Sequence, residues 1–384
     1  MTGIYLDYNA STPIDPNVTD AMRSLLDVAF GNPSSGHWAG RPPKAALEKA
    51  RAQVARLLGA SPEEIVFTSG GSEANNLALK GSFFAQRDRG NHIITQLTEH
   101  PAILRPLAFL ERLGAEVSYL PVDDAGRVDP TAVRRAITPR TILITIMHAN
   151  NETGTLQAIE DIGAIAREHA IHFHTDAAQS VGKIPTIVER LGVDLLSVAG
   201  HKLYAPKGIG ALYIRGGVTL EPLIHGADHE RGQRAGTESA LLAAALGTAC
   251  EVALAWVGKP SIQGLRDHFW DRLRAAFGGR VVLNGHPRHR LPNTLNVSFV
   301  GEVGAEVLAR MPDIAASTGS ACHAGQVTLS PVLAAMGVPP DVGAGAIRFS
   351  LGRETTLDEI EAVVDQLSRV VLTRSFTEVA AAHR

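Results

Sequence analysis

The stretch that decides the fold runs from residue 141 to residue 179, TILITIMHANNETGTLQAIEDIGAIAREHAIHFHTDAAQ. It opens on an apolar, β-branched run from Thr141 to Met147. A helical pattern follows from Ile159 to His169, and a second buried run spans Ile171 to Thr175. Strand, helix, strand in that order implies a crossover connection and two parallel strands of one sheet. The same alternation extends outward. Upstream lie a strand at Glu64–Thr68, a Gly-rich turn, and a helix from Ser72 to Lys80. The strand His92–Gln96 comes next, with a helix from Pro101, then the strand Ala115–Leu120 and a helix at Pro130–Ala136. Downstream, Leu195–Val198 and Ile209–Arg215 read as two more strands, the last beside an antiparallel turn.

After about residue 236 the pattern changes. Helices at Ser239–Trp256 and Ile262–Phe277 precede strands at Val281–Leu283 and Thr294–Phe299. A helix at Ala305–Arg310, a strand at Ala346–Leu351 and a helix at Leu357–Leu372 complete an α+β set. The expected architecture is α/β. A large domain over 16–257 carries a mainly parallel seven-stranded sheet. A smaller α+β domain over 258–384 begins at the Gly258-Lys259-Pro260 break, and residues 1–15 form an arm that contributes to it.

Composition narrows the function classes. The chain has 384 residues, 45% hydrophobic and 20% charged, which is ordinary globular usage. Disordered, coiled-coil and collagen readings are set aside. Lysine and arginine number 36 against 39 acidic residues, a net charge of −3. No strong positive field is available for nucleic acid or an anionic membrane. No run of apolar residues is long enough for a spanning helix. The opening MTGIYLDYNASTP lacks the basic start and apolar stretch of a signal peptide. Cys250 and Cys322 are the two cysteines, so a disulfide framework is excluded and a reducing, cytoplasmic setting is expected.

Four constellations carry chemistry. The turn Thr68-Ser69-Gly70-Gly71-Ser72-Glu73 joins a strand to a helix. The first amides of a helix have no internal partners and its dipole favours an anion there, so Gly70, Gly71 and Ser72 could cradle a phosphate. The plainer alternative is a turn with Ser72 capping the helix. No Gly-Lys-Ser/Thr follows, so a P-loop is not supported. Asp176 stands at the end of a buried strand, where ligands bind in open α/β sheets. It could hold a protonated ring nitrogen or simply cap the next helix. His172 and His174 alternate and leave a metal pair open, without a coherent set of further ligands. Lys202 follows a strand and Gly200, in a chain where lysines are scarce beside arginines. A partly desolvated lysine there can form a Schiff base, and the cradle and Asp176 on the same sheet extend this to a pyridoxal phosphate hypothesis. Lys207, between Pro206 and Gly208, reads as a loop residue. The small-residue segment Ala315–Gly325 reads as a loop around Cys322, whose thiol is either nucleophilic beside His323 or structural. Cys250, in an Ala/Leu helix, reads as buried and inert.

These residues resemble the cysteine desulfurases, class-V aminotransferase-like enzymes of the NifS/IscS type. The likeness rests on Tyr5-Leu6-Asp7-Tyr8-Asn9-Ala10, Gly31-Asn32-Pro33-Ser34-Ser35, Thr68 to Asn76, His148 to Gly154, and His174 to Gln179. Gly200-His201-Lys202, Arg234-Ala235-Gly236-Thr237-Glu238 and Ser317 to Cys322 follow in the family's order. It covers residue 4 to about 370. Selenocysteine lyases are similar in the same places. The resemblance implies a fold-type I pyridoxal 5'-phosphate transferase working as a homodimer on L-cysteine, with L-selenocysteine as the alternative substrate. Lys202 would carry the cofactor as a Schiff base, and Asp176 would pair with its ring nitrogen. His100 would stack on the ring and move protons, Gln179 would reach the ring oxygen, and Asn151 would lie near cofactor or substrate. Gly71, Ser72 and His201 would hold the phosphate, joined by Thr237 of the other subunit. Arg348 would clamp the substrate carboxylate with Asn32 assisting. Cys322 would take the sulfur as a persulfide, on a long, flexible loop of the kind one branch of the family has. The acceptor of that sulfur is not read from the chain; related enzymes feed iron–sulfur cluster assembly, tRNA thiolation, DNA phosphorothioation and selenium metabolism.

One position departs from the family. Ala199 stands where many members have a serine that contacts phosphate, which removes a hydrogen bond worth about 1 kcal/mol. Some selenocysteine-lyase-like sequences share an apolar residue there. Another lyase or aminotransferase on the same fold, and a non-catalytic sulfur-transfer scaffold, are the remaining alternatives. Alanine formation without a keto acid separates the first, and the presence of both Lys202 and Cys322 speaks against the second.

Overall fold

The computed structural model describes residues 3–318, 321–323 and 326–381, with side chains for 3–318 and 329–371. A short strand, β1 (Ile4–Tyr5), precedes the main sheet. That sheet comprises β2 (Ile65–Thr68), β3 (His92–Gln96), β4 (Glu116–Leu120), β5 (Thr141–Thr145), β6 (His172–Asp176), β7 (Leu195–Ala199) and β8 (Gly210–Ile214). Their order across the sheet is β2-β8-β7-β6-β5-β3-β4. Only β8 runs antiparallel to its neighbours, as the sequence reading expects for Ile209–Arg215. Most of these strands are buried along their whole length, which is why they read as continuous apolar runs without alternation.

Helices cover the sheet. They include α1 (Arg41–Leu58), α2 (Gly71–Ala85), α3 (Pro101–Glu111) and α4 (Ala240–Leu254). Helix α1 falls where the sequence reading assigns no element. Its buried positions Leu47, Ala50, Val54, Leu57 and Leu58 follow the helical period. It ends on Gly59 in the left-handed region, with φ 65°. The largest core cluster joins α1 and α4 to the sheet through residues such as Val54, Phe67, Ile144, Phe173 and Leu246, while α2 and α3 pack through separate clusters that include Leu77, Phe83 and Ile103.

A second core lies beyond α4. Helices α5 (Ser261–Phe277) and α6 (Leu357–Ala381) pack on a four-stranded sheet. That sheet contains β9 (Val281–Asn284), β10 (Thr294–Phe299), β12 (Ser317–Thr318) and β15 (Ala346–Ser350), in the order β12-β15-β10-β9. Between its strands, β11 (Ile314–Ala315) pairs with β1, and β13 (Ala321–His323) pairs with β14 (Gln326–Thr328). Leu6 of the arm is fully buried in this core with Phe269, Phe299, Phe349 and Leu367. Among the described residues, no helix is long and apolar enough to cross a membrane.

One buried ion pair fixes α1 against β2 just before the turn that leads into α2. Glu230 is 4% exposed and grips Arg51 bidentately, with Nη1 to Oε2 and Nη2 to Oε1 both at 2.7 Å. Glu230 Oε2 also accepts from the Phe67 amide at 2.9 Å. Removing one member of a buried pair strands the other charge. We expect Glu230→Ala to lower unfolding free energy by about 3–5 kcal/mol. Denaturant titration measures this, and a loss below about 1 kcal/mol would contradict it.

Candidate active site

In a parallel sheet the strands' C-terminal ends open onto a shared crevice. Here five segments leave that edge: Ser69–Ser72 after β2, Thr98–His100 after β3, His148–Asn151 after β5, Ala177–Gln179 after β6 and Gly200–Lys202 after β7. Residues 9–11 of the arm and Arg348 of β15 close the remaining sides. Together they enclose a cavity of about 640 Å³.

Asp176 is the last residue of β6. Its Oδ2 accepts from Asn75 Nδ2 at 2.7 Å and its Oδ1 from the Ala178 amide at 2.9 Å. Both oxygens are therefore held and the carboxylate cannot swing. Lys202 follows β7 through one turn of 3-10 helix, Gly200–Lys202. Glycine is required at 200, since a Cβ there would lie 2.8 Å from the Ile209 carbonyl oxygen. Lys202 Nζ donates to the carbonyls of Asn9 and Ala10, both at 2.7 Å. Burial, then the Arg348 charge, brings its pKa down to about 8.

The turn into α2 is built for an anion. Gly70 caps the helix without any side-chain bond, so the first amides stay open. A Cβ on Gly71 would stand 3.1 Å from the Ala199 Cβ, so the two small residues bring the backbones together and leave the amides bare. His201 lies at the same end, its Nδ1 3.3 Å from Ser11 Oγ. Burial, then Lys202 and Lys207, push its pKa to about 4, so the ring is neutral.

His100 caps α3, with Nδ1 accepting from the Ala102 amide at 3.0 Å. Burial lowers its pKa, opposed by Asp176 and reinforced by Lys202. The neutral ring thus carries its proton on Nε2. Arg348 donates from Nη2 to Asp7 Oδ1 at 2.6 Å and from Nη1 to the Asn151 carbonyl at 2.9 Å. Among the described residues, its Nε is buried without a partner. A ligand bearing an anionic group, a ring nitrogen, a carbonyl and a carboxylate would find a complement for each in this cavity.

Most sequence-predicted residues meet here: Gly71, Ser72, His100, Asn151, Asp176, Gln179, His201, Lys202 and Arg348 all line the cavity. Lys207 lines it too but is exposed. Asn32 and Thr237 do not line it within one chain. Asn32 Oδ1 is engaged by the Ser34 amide at 2.9 Å in an exposed turn. Thr237 lines a neighbouring crevice that shares Ser69 and Gly208 with the main cavity. The Cys322 side chain lies outside the described residues. Its backbone belongs to β13, opposite Val327 of β14, where the sequence reading expects a loop. Small side chains remove packing but leave backbone groups that still need partners, and a strand pair supplies them.

The alternating histidines are accounted for by protein partners. His174 bridges Thr145 Oγ1 at 2.8 Å and Ser197 Oγ at 3.0 Å, and burial lowers its pKa to about 3. His172 Nδ1 meets Gln86 Nε2 at 2.8 Å. Cys250 is fully buried, which pushes its thiol pKa far up.

Sequence reasoning assigned no role to Asn9, Asn75 or Glu99. Asn75 is a polar residue on the helix face that buries Ala74, Ala78 and Leu79, which is the available signal. Glu99 Oε1 accepts from the Met147 amide at 2.6 Å and from Gln96 Nε2 at 3.1 Å, and burial raises its pKa to about 8.

Comparison with known proteins agrees with this geometry. The family model described as aminotransferase class-V matches residues 4–363. A cysteine desulfurase IscS of Dictyoglomus turgidum is 46% identical over 372 residues, 96% of this chain and 94% of that protein. Among solved structures, a NifS-like protein superposes with a TM-score of 0.90 at 35% identity, covering 97% of this chain and 100% of that one. A structure described as SspA in complex with cysteine gives 0.81 at 41% identity, covering 91% and 98%.

The depressed pKa of Lys202 is open to measurement. Below about 8 its free-amine fraction grows about tenfold per pH unit, and above that value it levels off. Trace acetylation of the cofactor-free chain, mapped to Lys202 by mass spectrometry, should follow that curve. A plateau reached only above pH 10, as for a lysine in a peptide, would contradict it.

Proposed function

We infer that this chain, which belongs to the aminotransferase class-V family and within it to the cysteine desulfurases, converts L-cysteine to L-alanine and passes the sulfur to a cysteine of its own. The observation that carries the reading is the convergence of Lys202, Asp176, the open end of α2 and Arg348 on one cavity. The names of the relatives favour cysteine over selenocysteine.

The residues fit pyridoxal phosphate. Lys202 Nζ would bind its aldehyde, the amides of Gly71 and Ser72 with His201 its phosphate, Asp176 its ring nitrogen and Gln179 its ring oxygen. Bound there, the group supplies an electron sink for the pair left when the substrate Cα loses a proton. Thr237 would reach the phosphate from a second copy of the chain, which makes the homodimer the working unit.

The chain's own part follows from its geometry. Lys202, with its lowered pKa, takes the proton from Cα at Nζ. Asp176, held by Asn75 and the Ala178 amide, keeps a proton on the ring nitrogen. His100 presents an Nε2 proton because Nδ1 is spent on the helix cap. Arg348 receives the substrate carboxylate and sets which face of Cα meets Lys202. The Cys322 thiolate attacks the substrate sulfur. A sulfur–sulfur bond forms, the carbon–sulfur bond breaks with its pair remaining on carbon, and protonation there gives alanine. Substrate and thiol thus become alanine and one persulfide with no outside oxidant.

Incubation with L-cysteine and no keto acid should yield alanine and a persulfide mapped to Cys322. Lys202→Ala should abolish turnover, and an active variant would sink the reading. Cys322→Ala should bind cofactor and L-cysteine yet form no persulfide; fast sulfur release by that variant removes Cys322 from its role. Arg348→Lys loses the planar fork, so kcat/KM for L-cysteine should fall about 10–100-fold, mostly through KM. An unchanged KM would place the carboxylate elsewhere.

A further inference from the structure

A second lysine reaches this site from behind and takes no part in the chemistry above. Lys183 is half-buried, and its Nζ reaches two oxygens. These are Gln179 Oε1 at 2.9 Å and Asn9 Oδ1 at 3.1 Å. Burial pushes its pKa well down, and Lys202 and Arg348 push the same way.

An amide side chain has an accepting end and a donating end. At Gln179 the partners decide. Lys183 Nζ donates to one end. The main-chain carbonyl of Asn9, which can only accept, takes the other at 2.9 Å from Nε2. The oxygen must therefore face Lys183 and the NH2 group must face away from it. One Nε2 hydrogen goes to Asn9, and the second is left for the cavity that Gln179 lines.

We propose that Lys183 is a positioning residue that, by holding Gln179 Oε1, makes Gln179 offer the cavity an N–H donor and never a carbonyl. This rests on the pyridoxal phosphate reading, in which that donor meets the ring oxygen. A carbonyl turned toward an anionic ring oxygen would repel it. Without the lysine, Gln179 Oε1 loses its partner inside the protein, and the Asn9 carbonyl is left as the one contact that opposes a turn of the amide.

The test compares two ligands on the cofactor-free chain: pyridoxal phosphate, and 3-deoxypyridoxal phosphate, which lacks the ring oxygen. Binding is followed by absorbance and tryptophan fluorescence. Lys183→Met should weaken pyridoxal phosphate about tenfold, the size of one hydrogen bond, and leave the deoxy compound unchanged. Gln179→Glu keeps oxygens for Lys183 but has no N–H to give, so it should lose the same preference between the two ligands. This variant tests the assignment even where Lys183→Met folds poorly, which a thermal melt would reveal. Adding Lys183→Met to Gln179→Ala should cost nothing further, because the lysine acts through the amide. Equal binding of pyridoxal phosphate by Lys183→Met and the unaltered chain overturns the proposal. So does an equal loss for both ligands, which marks a packing role. If the unaltered chain binds neither ligand, the cofactor reading fails first and the proposal falls with it.

Discussion

A single buried asparagine holds this site together. Asn9 is 1% exposed and belongs to the arm, far in sequence from everything it touches. On one side its carbonyl accepts from Lys202 and Gln179, and its Oδ1 accepts from Lys183. On the other, its amide donates to Ser350 Oγ, its Nδ2 donates to Thr294 Oγ1, and its Oδ1 also accepts from Asn293. The first set lies on the segments that follow β6 and β7, the second on β10, β15 and the loop before β10. A buried polar group without partners costs about 1–3 kcal/mol, so each bond is a condition on where the two cores sit. Asn9 thus bonds both Lys202 and β15, the strand that carries Arg348.

The electrostatics around it separate two carboxyls by environment. Asp176 receives two N–H donors, one from Asn75 and one from the backbone. Glu99 is fully enclosed, has donors on one oxygen only among the described residues, and feels Asp176 as a like charge. Its raised value of about 8 leaves it protonated near neutrality, so Glu99 adds no fixed negative charge beside Asp176. Lys202 stands in an opposite imbalance. Burial and Arg348 oppose its charge more than Asp7 and Asp176 support it, which is the state a nucleophilic amine needs.

The sequence made the sheet and most of the cavity legible because both depend on local rules. Strand runs buried on both faces announce themselves by β-branched residues, and the strand-end motifs fall at the sheet's C-terminal edge by topology alone. Lys202, Asp176 and the turn before α2 could therefore be placed together before any coordinate was known. Asn9 could not, because its contacts to Gln179 and Lys183 span 170 and 174 residues of chain, and the role of Lys183 shares the second of them. Helix α1 went unread for another reason. Arg41-Pro42-Pro43 reads locally as a loop, although proline is well suited to a helix's first turn. For Asn32 and Thr237 the sequence motif is present, but a single chain does not carry either one to the cavity.

Arg348 shows what a buried binding group requires before its ligand arrives. A guanidinium enclosed by protein cannot wait without a counter-charge, since an unpaired buried ion costs several kcal/mol. Asp7 supplies that charge at 2.6 Å, and it is held in turn by Ser317 Oγ at 2.8 Å. A substrate carboxylate at Arg348 therefore meets a cation already partly neutralised. Its added stabilisation is the difference between two carboxylates at one guanidinium and one, not the full strength of a new pair. That arrangement favours moderate affinity and exchange of small amino acids. It also links the substrate-binding arginine to Ser317, which lies in β12 on the chain that leads toward Cys322. The arm thus touches two chemical elements of the site, the amine through Asn9 and the carboxylate clamp through Asp7, from positions only two residues apart. The Asp7 carbonyl accepts from the Ala10 amide at 2.9 Å, and the turn this closes presents both contacts at once.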